Sequence, residues 1–450
     1  MNKYISDLLL KFYKPIWYFH LIPHSGKNHV WCTYRELSPK QKQLINYDDN
    51  YSCKILCDWD ASYQAITRGI IRKPIEKFDC IVVDILPKDI YRFTRKYCNK
   101  PWLYITFFLR IIFFNNPFKE IFFLWKTKNI KKQDLFKKYY NHNEYANYQS
   151  NLIASKQFIS IVIPTFNRYE LLKKLLNDLE KQIYNYFEVI IIDQSNPFDK
   201  LFYNDINLKF RLIKQKHPGL WKARNSGILS AKSDYLLFLD DDSRLSNDWL
   251  YEHIKCLDYF DADISSGVSI SVAGAKVPEN YSYFRWSDQL DTGNVLIKLA
   301  VFKKCGLFDE QFENMRMGDG EFGVRAYLNG FKNISNYKSY RLHLKKDKGG
   351  LREIGHWDAF RSKKIISPKP IPSVLYYWRK YWGNKSALIN CMITIPFSLT
   401  NYKNKNNIIS NIFSLVLFGF VFPIIVLQVV FSWKISSNMI SSGSKINKLD

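Results

Sequence analysis

Five apolar residues at 235–239 (YLLFL) run without a break into three aspartates, Asp240, Asp241 and Asp242. A run that short and that apolar reads as a central strand buried on both faces, which needs neighbouring strands on either side. Two further runs supply them: FISIVI at 158–163, and FEVIII at 187–192, which ends at Asp193. Between these two, Leu172, Leu175, Leu176, Leu179 and Ile183 form one apolar helical face, with Asn167 as N-cap and Glu170 placed to close a capping box. Such alternation predicts a doubly wound α/β sheet. Ligands of open α/β sheets collect at the carboxyl ends of the strands, so Pro164, Thr165, Asp193 and Asp240 to Asp242 are expected to share one crevice.

Three adjacent carboxylates at the end of a buried strand repel one another unless a cation or several donors compensate them. A metal is the simplest compensation, and oxygen ligands favour Mg²⁺ or Mn²⁺. A plainer role is also open: Asp242 and Ser243 opening a turn while Asp240 caps the helix that follows.

The chain has 450 residues, 47% of them hydrophobic, which suffices for two or three domains and rules out a disordered protein. Its formal charge of +25 implies an anionic partner: nucleic acid, acidic lipid or a phosphorylated substrate. The eight cysteines contain no CxxC pair and read as reduced thiols of a cytosolic compartment. No small-residue cleavage site follows the short apolar stretch at the N-terminus, so a cleaved signal peptide is not expected. Residues 412–433 carry no charge over a length that approximates a membrane span, with Pro423 inside it; a buried or re-entrant helix is the alternative. Lysines on both sides leave its orientation open.

Four regions follow. Residues 1–125 include CKILCDWD, SYQAITRGIIRKPIEKF and DCIVVDIL, a strand, helix and strand pattern that predicts a small α/β region of no assigned chemistry. Within it, 102–125 is rich in aromatics but broken by Arg110, Asn115-Asn116-Pro117 and Lys119; it fits a pair of interfacial helices better than a span, with helices packed on a neighbouring domain the alternative. Residues 126–157 read as a basic polar linker, 158–350 as the α/β domain, and 351–450 as a C-terminal helical region holding the apolar segment.

IVIPTFNR (161–168), GLWKARNSGI (219–228), FLDDDSRL (238–245), TGNVLIKLAVFKKCGLFDEQF (292–312) and GDGEFGVRAYLNG (318–330) together resemble the family 2 glycosyltransferases, in that family's order and approximate spacing. The resemblance covers about 158–350 and implies the GT-A fold, a Rossmann-like nucleotide-diphospho-sugar transferase domain. It also implies roles for single residues. Pro164 and Thr165 edge the nucleotide pocket, Arg224 and Asn225 contact the nucleotide, and Asp241 is the ribose-side aspartate. Asp240 and Asp242 frame the DxD pattern, with Asp242 the metal contact. Asp319 takes the place of the inverting base, with Glu321 in reserve; the alternative is that both acids favour a helix N-terminus. His343 would complete the metal shell, and Gly349-Gly350 with Arg352 could bind phosphate.

One position departs from the family. Gln194 follows Asp193 where a second aspartate is usual, and an amide both donates and accepts, so uridine and deoxythymidine diphosphosugars both stay open. Tyr281, Tyr283, Phe284, Arg285 and Trp286, in the loop at 273–291, could stack on an acceptor sugar or pack against the fold. The expected partners are a nucleoside-diphosphate sugar and a glycan or lipid-linked acceptor at the cytoplasmic face of a membrane. The expected activity is inverting transfer in cell-surface polysaccharide synthesis; the alternative is a non-catalytic glycan-binding or scaffolding relative. Three aspartates lining the crevice argue against nucleic acid.

Overall fold

The structure is a computed structural model and describes residues 9–24, 30–71, 85–272, 277–345, 350–351, 358–360, 367–400 and 407–449. The chain divides into two compact units. One comprises Met1–Asn141, Phe360–Pro370 and Leu375–Ser432; the other comprises His142–Ala359, Ile371–Val374 and Trp433–Asp450.

The first unit contains helices α1 (Lys54–Thr67), α2 (Pro87–Tyr97), α3 (Lys100–Ile112) and α4 (Pro117–Lys126). CKILCDWD, expected as a strand, lies almost wholly in α1. Its apolar residues are not alternating but share one face: Leu56, Cys57, Trp59 and Tyr63 are buried. The second expected strand, DCIVVDIL, lies largely outside the described residues, and no strand occurs among the described residues of this unit. The core is aromatic, with Trp31 stacked on Trp59 at 5.0 Å and Phe93 edge-on to Tyr97 at 4.8 Å.

The second unit is built on a nine-stranded mixed sheet. Its strands are β1 (Ile159–Thr165), β2 (Phe187–Asp193), β3 (Phe210–Lys214), β4 (Tyr235–Leu239), β5 (Ser243–Leu245), β6 (Ile264–Ser271), β7 (Arg285–Trp286), β8 (Asn294–Lys298) and β9 (Asn333–His343). They run in the order β3-β2-β1-β4-β8-β6-β9-β5, with β7 against β9. The β3-β2-β1-β4 half is parallel, as the alternation predicted; β8 then pairs antiparallel with both β4 and β6. Helices α5 (Tyr169–Glu180), α6 (Leu220–Ser230), α7 (Trp249–Tyr259), α8 (Leu299–Cys305) and α9 (Gly318–Leu328) accompany the sheet.

Two local expectations change. α5 starts after Arg168, without a side-chain cap. Asn167 instead adopts a positive φ of 54° and accepts from the backbone of Asn196, which ties the β1 loop to the β2 loop. Ile183 lies beyond the helix end and is exposed, while the four leucines are buried. The unit takes in residues from His142 onward, inside the stretch read as a linker: Tyr145 donates to Glu252 at 2.7 Å and Ser150 to Asp258 at 2.7 Å.

At the C-terminal end follow α10 (Pro372–Thr394) and α11 (Ile408–Ser442). α11 is the one helix among the described residues long and apolar enough to cross a membrane. It continues well past the uncharged segment expected at 412–433, contains Pro423 and exposes Phe420 and Ile409. At 1.5 Å per residue its length, about 50 Å, exceeds a hydrocarbon core of about 30 Å.

Candidate functional site

The parallel register sets the site. β1 pairs with β2 so that Thr165 stands beside Asp193, and β4 lies on the other side of β1 and ends at Leu239. The three aspartates therefore leave the sheet next to the end of β1. They lead through a turn into β5, not into a helix, which sets aside the capping role for Asp240.

Each aspartate meets a different set of partners. Asp240 accepts from Arg224 at 2.8 Å and pairs with Arg341 at 3.0 Å. Burial works against its charge, but these two guanidiniums outweigh that and hold its carboxyl below the usual range. The close approach depends on Gly293, since a Cβ there would fall 2.2 Å from Asp240 Oδ2 and 2.3 Å from Arg341. Asp241 accepts from the Thr165 hydroxyl at 2.8 Å and lies 3.4 Å from Arg168. Burial pushes it up to about 7, against the pull of Arg168. Asp242 lies 3.1 Å from Arg168 and 3.3 Å from His343 Nε2. Burial would raise it too, but His343, Arg341 and Arg168 hold it at about 2.

Asp240, Asp242 and His343 each offer a ligand atom, and these atoms all lie within 4.8 Å of one another. His343 arrives there because β9 pairs antiparallel with β5, in a register that sets His343 opposite Ser243, one residue past Asp242. Two carboxylate oxygens and an imidazole nitrogen form a donor set that suits a divalent cation.

Asp319 sits in the first turn of α9, with one oxygen accepting from Gly320 N–H at 2.7 Å. Burial, then the like charge of Asp291, push its carboxyl up to about 6. Glu321, two residues on, is fully buried and paired with Arg325 at 2.9 Å. That leaves Asp319, half-buried, as the less enclosed acid of this turn.

The other expected contacts divide. Arg224 is buried and reaches Asp240 and the Thr292 carbonyl through one nitrogen, while Nε and Nη1 have no hydrogen-bond partner. Asn225, expected beside the nucleotide, spends its amide inside the fold: its nitrogen donates to the Phe308 carbonyl and Glu310, and its oxygen accepts from Phe308 N–H. Asp193 is held by the hydroxyls of Tyr169 and Tyr203 at 2.7 and 2.8 Å and by the Ser195 N–H. Gln194 accepts through Oε1 from Gly219 N–H at 2.6 Å and from Gln215, which leaves its buried Nε2 without a partner. Pro164 is buried within β1. Tyr283, Phe284 and Trp286 are buried, Phe284 against Tyr145 at 4.5 Å and Phe260 at 5.0 Å, so these aromatics pack into the fold. Gly349 and Arg352 lie outside the described residues.

Sequence reasoning missed Arg341, Arg168 and Asp291. Arg341 is almost fully buried and binds Asp240, Ser243, Ser269 and Asp291 at 2.7 to 3.2 Å. Its signal was faint: alternate buried positions along β9 place Arg341 and His343 on the same face. Asp291 follows an apolar leucine in the loop before β8 and carried no signal of its own.

Residues 160–309 match the model of the family described as Glycosyl transferase family 2. The chain carries a family 2 glycosyltransferase domain. With its mixed α/β sheet, this domain has the GT-A architecture that the motifs implied. Among relatives of the family 2 domain, the poly(ribitol-phosphate) beta-N-acetylglucosaminyltransferase TarS of Staphylococcus aureus is 27% identical over 206 residues, 42% of this chain and 36% of that protein. The chondroitin synthase of Escherichia coli is 27% identical over 306 residues, 56% of this chain and 43% of that protein. The GalNAc(5)-diNAcBac-PP-undecaprenol beta-1,3-glucosyltransferase of Campylobacter jejuni is 25% identical over 206 residues, 41% of this chain and 62% of that protein. In each case the match spans less than two thirds of the relative's own length. A crystal structure of TarS residues 1–349 aligns with a TM-score of 0.41 at 16% identity, over 64% of this chain and 92% of that chain.

Proposed function

We propose that this chain is an inverting glycosyltransferase that moves a sugar from a nucleoside diphosphate onto a glycan or lipid-linked acceptor, at the cytoplasmic face of a membrane, in cell-surface polysaccharide synthesis. One observation carries the reading: Asp240 and Asp242, within the residues that match family 2, converge with His343 on a common point, and Asp319, raised toward neutrality, stands in the first turn of α9. The names of the relatives support it, since they describe transfer of sugars to polyol-phosphate polymer, polysaccharide and undecaprenyl-linked glycan. The long apolar α11 and the net charge of +25 support the membrane setting.

Asp242, Asp240 and His343 would hold Mg²⁺ or Mn²⁺. The ion, when bound, offsets charge on the departing nucleoside diphosphate. The remaining work falls to the chain itself. Arg224 keeps two guanidinium nitrogens unpartnered beside Asp240, a reserve of charged donors suited to phosphate oxygens. Asp319 accepts the proton of the acceptor hydroxyl as that oxygen attacks the sugar, and a carboxylate with a raised affinity for protons is the better base for this step. Gln194, its oxygen fixed by Gly219 N–H, presents only N–H to whatever enters the end of β2.

The test is a panel of uridine, deoxythymidine and guanosine diphosphosugars, assayed for sugar transfer with Mg²⁺, with Mn²⁺ and with chelator. Transfer from at least one donor is expected, abolished by chelator and reduced on the order of 10²- to 10³-fold by Asp242→Ala. Metal-dependent nucleotide binding with no transfer to any acceptor would instead support a glycan-binding or scaffolding role.

A further inference from the structure

α3 and α4 form a hairpin whose polarity is inverted. The charges turn inward: Glu120 of α4 is only 1% exposed, receives both Nε and Nη2 of Arg110 from α3 at 2.7 Å, and accepts from the Tyr91 hydroxyl at 2.7 Å. Arg95 of α2 adds bonds to the Leu124 carbonyl and to Thr127 at the end of the hairpin. Leu109 of α3 packs with Phe12, Ile389 and Ile393. The hairpin is thus closed by one ion pair and held on one side by hydrogen bonds from α2 and a small apolar cluster, which fixes its orientation.

What it turns outward is aromatic. Phe114, at the tip, is 98% exposed and Phe118 is 82% exposed; Tyr104, Phe108, Phe122 and Trp125 are each more than half exposed. Single exposed apolar residues are ordinary on a soluble protein, but a contiguous group of this size on two consecutive helices marks a contact with something apolar. At 1.5 Å per residue the two helices measure about 20 Å and about 15 Å, too short to cross a hydrocarbon core of about 30 Å. The charge around the face is mostly positive. Lys126 lies 5.7 Å from the ring of Phe122 and Lys128 lies 4.7 Å from that of Trp125. The stretch 126–138 then holds six lysines against the single Asp134. Aromatics bordered by lysines whose ammonium groups lie over the rings are the composition of a surface that meets lipid headgroups.

We propose that the α3–α4 hairpin is a monotopic membrane foot: Phe114 and Phe118 enter the acyl boundary of an anionic phospholipid leaflet, and the lysines of 126–138 meet its headgroups. This is a contact in addition to α11, and it does not rest on the transferase reading. The test uses the full chain in nanodiscs of phosphatidylcholine alone or mixed with phosphatidylglycerol. The photoreactive residue benzoylphenylalanine replaces Phe114, or in a second variant Phe118, and mass spectrometry identifies the adduct. Because both positions are exposed, neither replacement disturbs the packed side of the hairpin. Phospholipid adducts at both positions are expected, several-fold more abundant in the mixed discs, with that excess lost when Lys126, Lys128, Lys131 and Lys132 are changed to Gln. Adducts to a second copy of the chain, or no adduct at either position, would overturn the proposal. Equal lipid yield in the two kinds of disc would overturn its anionic part. No transfer assay enters the readout, so failure of the foot and failure of the enzyme are told apart.

Discussion

Each unit buries a network of charges, and the two networks differ in whether they are closed. In the first unit Asp60 uses both oxygens: one accepts from the Tyr51 and Tyr97 hydroxyls at 2.9 and 2.8 Å, the other from Gln64 at 3.0 Å and Lys96 at 2.7 Å. Lys96 also reaches Asp48, which Arg92 grips through two nitrogens. Every charge there meets its opposite within the fold. In the second unit the acids are as well supplied with cations, since Arg224, Arg341, Arg168 and His343 surround Asp240 to Asp242. Yet Arg224 keeps two unpartnered nitrogens, Gln194 keeps an unpartnered amide nitrogen, and Asp319 has been lifted to about 6. Buried donors without partners are expensive, and a ligand entering beside Asp240 or the end of β2 would complete those of Arg224 and Gln194. Charge content does not separate these two networks; unfilled hydrogen-bonding capacity does.

The sharpest break in that comparison is at Asp319. If it is the base, Asp319→Asn keeps shape and hydrogen bonding but loses proton affinity, and transfer should fall by about 10²- to 10⁴-fold with donor binding little changed. Steady-state rates together with titration of the donor separate the two effects. A variant that still turns over at near the parental rate would move the base elsewhere and leave the site without its acid.

The closed network should fail differently. Lys96→Met leaves Asp48 and Asp60 without their shared cation in a buried setting, which should cost about 3–5 kcal/mol of stability. Thermal unfolding of the full chain in detergent should register that loss, while donor affinity holds for molecules that remain folded. If donor binding disappears with the first unit still folded, the division into a structural and a functional network is wrong.

The same contrast explains how much of the molecule was legible. The parallel half of the sheet was, because YLLFL and its neighbours are buried on both faces and leave no other period to follow. The acidic cluster was legible because like charges adjacent in sequence announce a need. Its compensation was not: Arg341 lies about a hundred residues from Asp240 and meets it only through the order of the sheet. Asn225 had the right motif and a different duty, since its amide closes on the Phe308 backbone, a contact no local pattern encodes. In the first unit CKILCDWD looked like a strand because its apolar residues are clustered; only the burial of one helical face in an aromatic core decides for α1. The ends of the hairpin were readable from Pro117 and the Asn115-Asn116 break, but that its aromatics face outward depends on Arg110 and Glu120 meeting inside.

The smallest and most discriminating effect lies in the pH profile. A base acts in its ionised form, so with Asp319 near 6 the rate should fall about tenfold per pH unit below that value, with the ionisation of Asp241 near 7 superimposed above it. Asp242, held at about 2 by His343, Arg341 and Arg168, stays ionised throughout that range and contributes no limb of its own. Burial is the first cause of the raised value at Asp319, and it survives in any conservative variant; the like charge of Asp291 is the second and can be removed. Asp291→Asn should therefore move the acid limb to lower pH by up to about one unit, with a modest loss of plateau rate as the base weakens. The direction is what matters. A limb that stays in place would mean that Asp291 acts only on Arg341, 3.2 Å away, as one more closed pair inside an open site. A limb that moves down would tie the proton affinity of the base to the same arginine network that holds Asp240, and so make the crevice a single electrostatic unit.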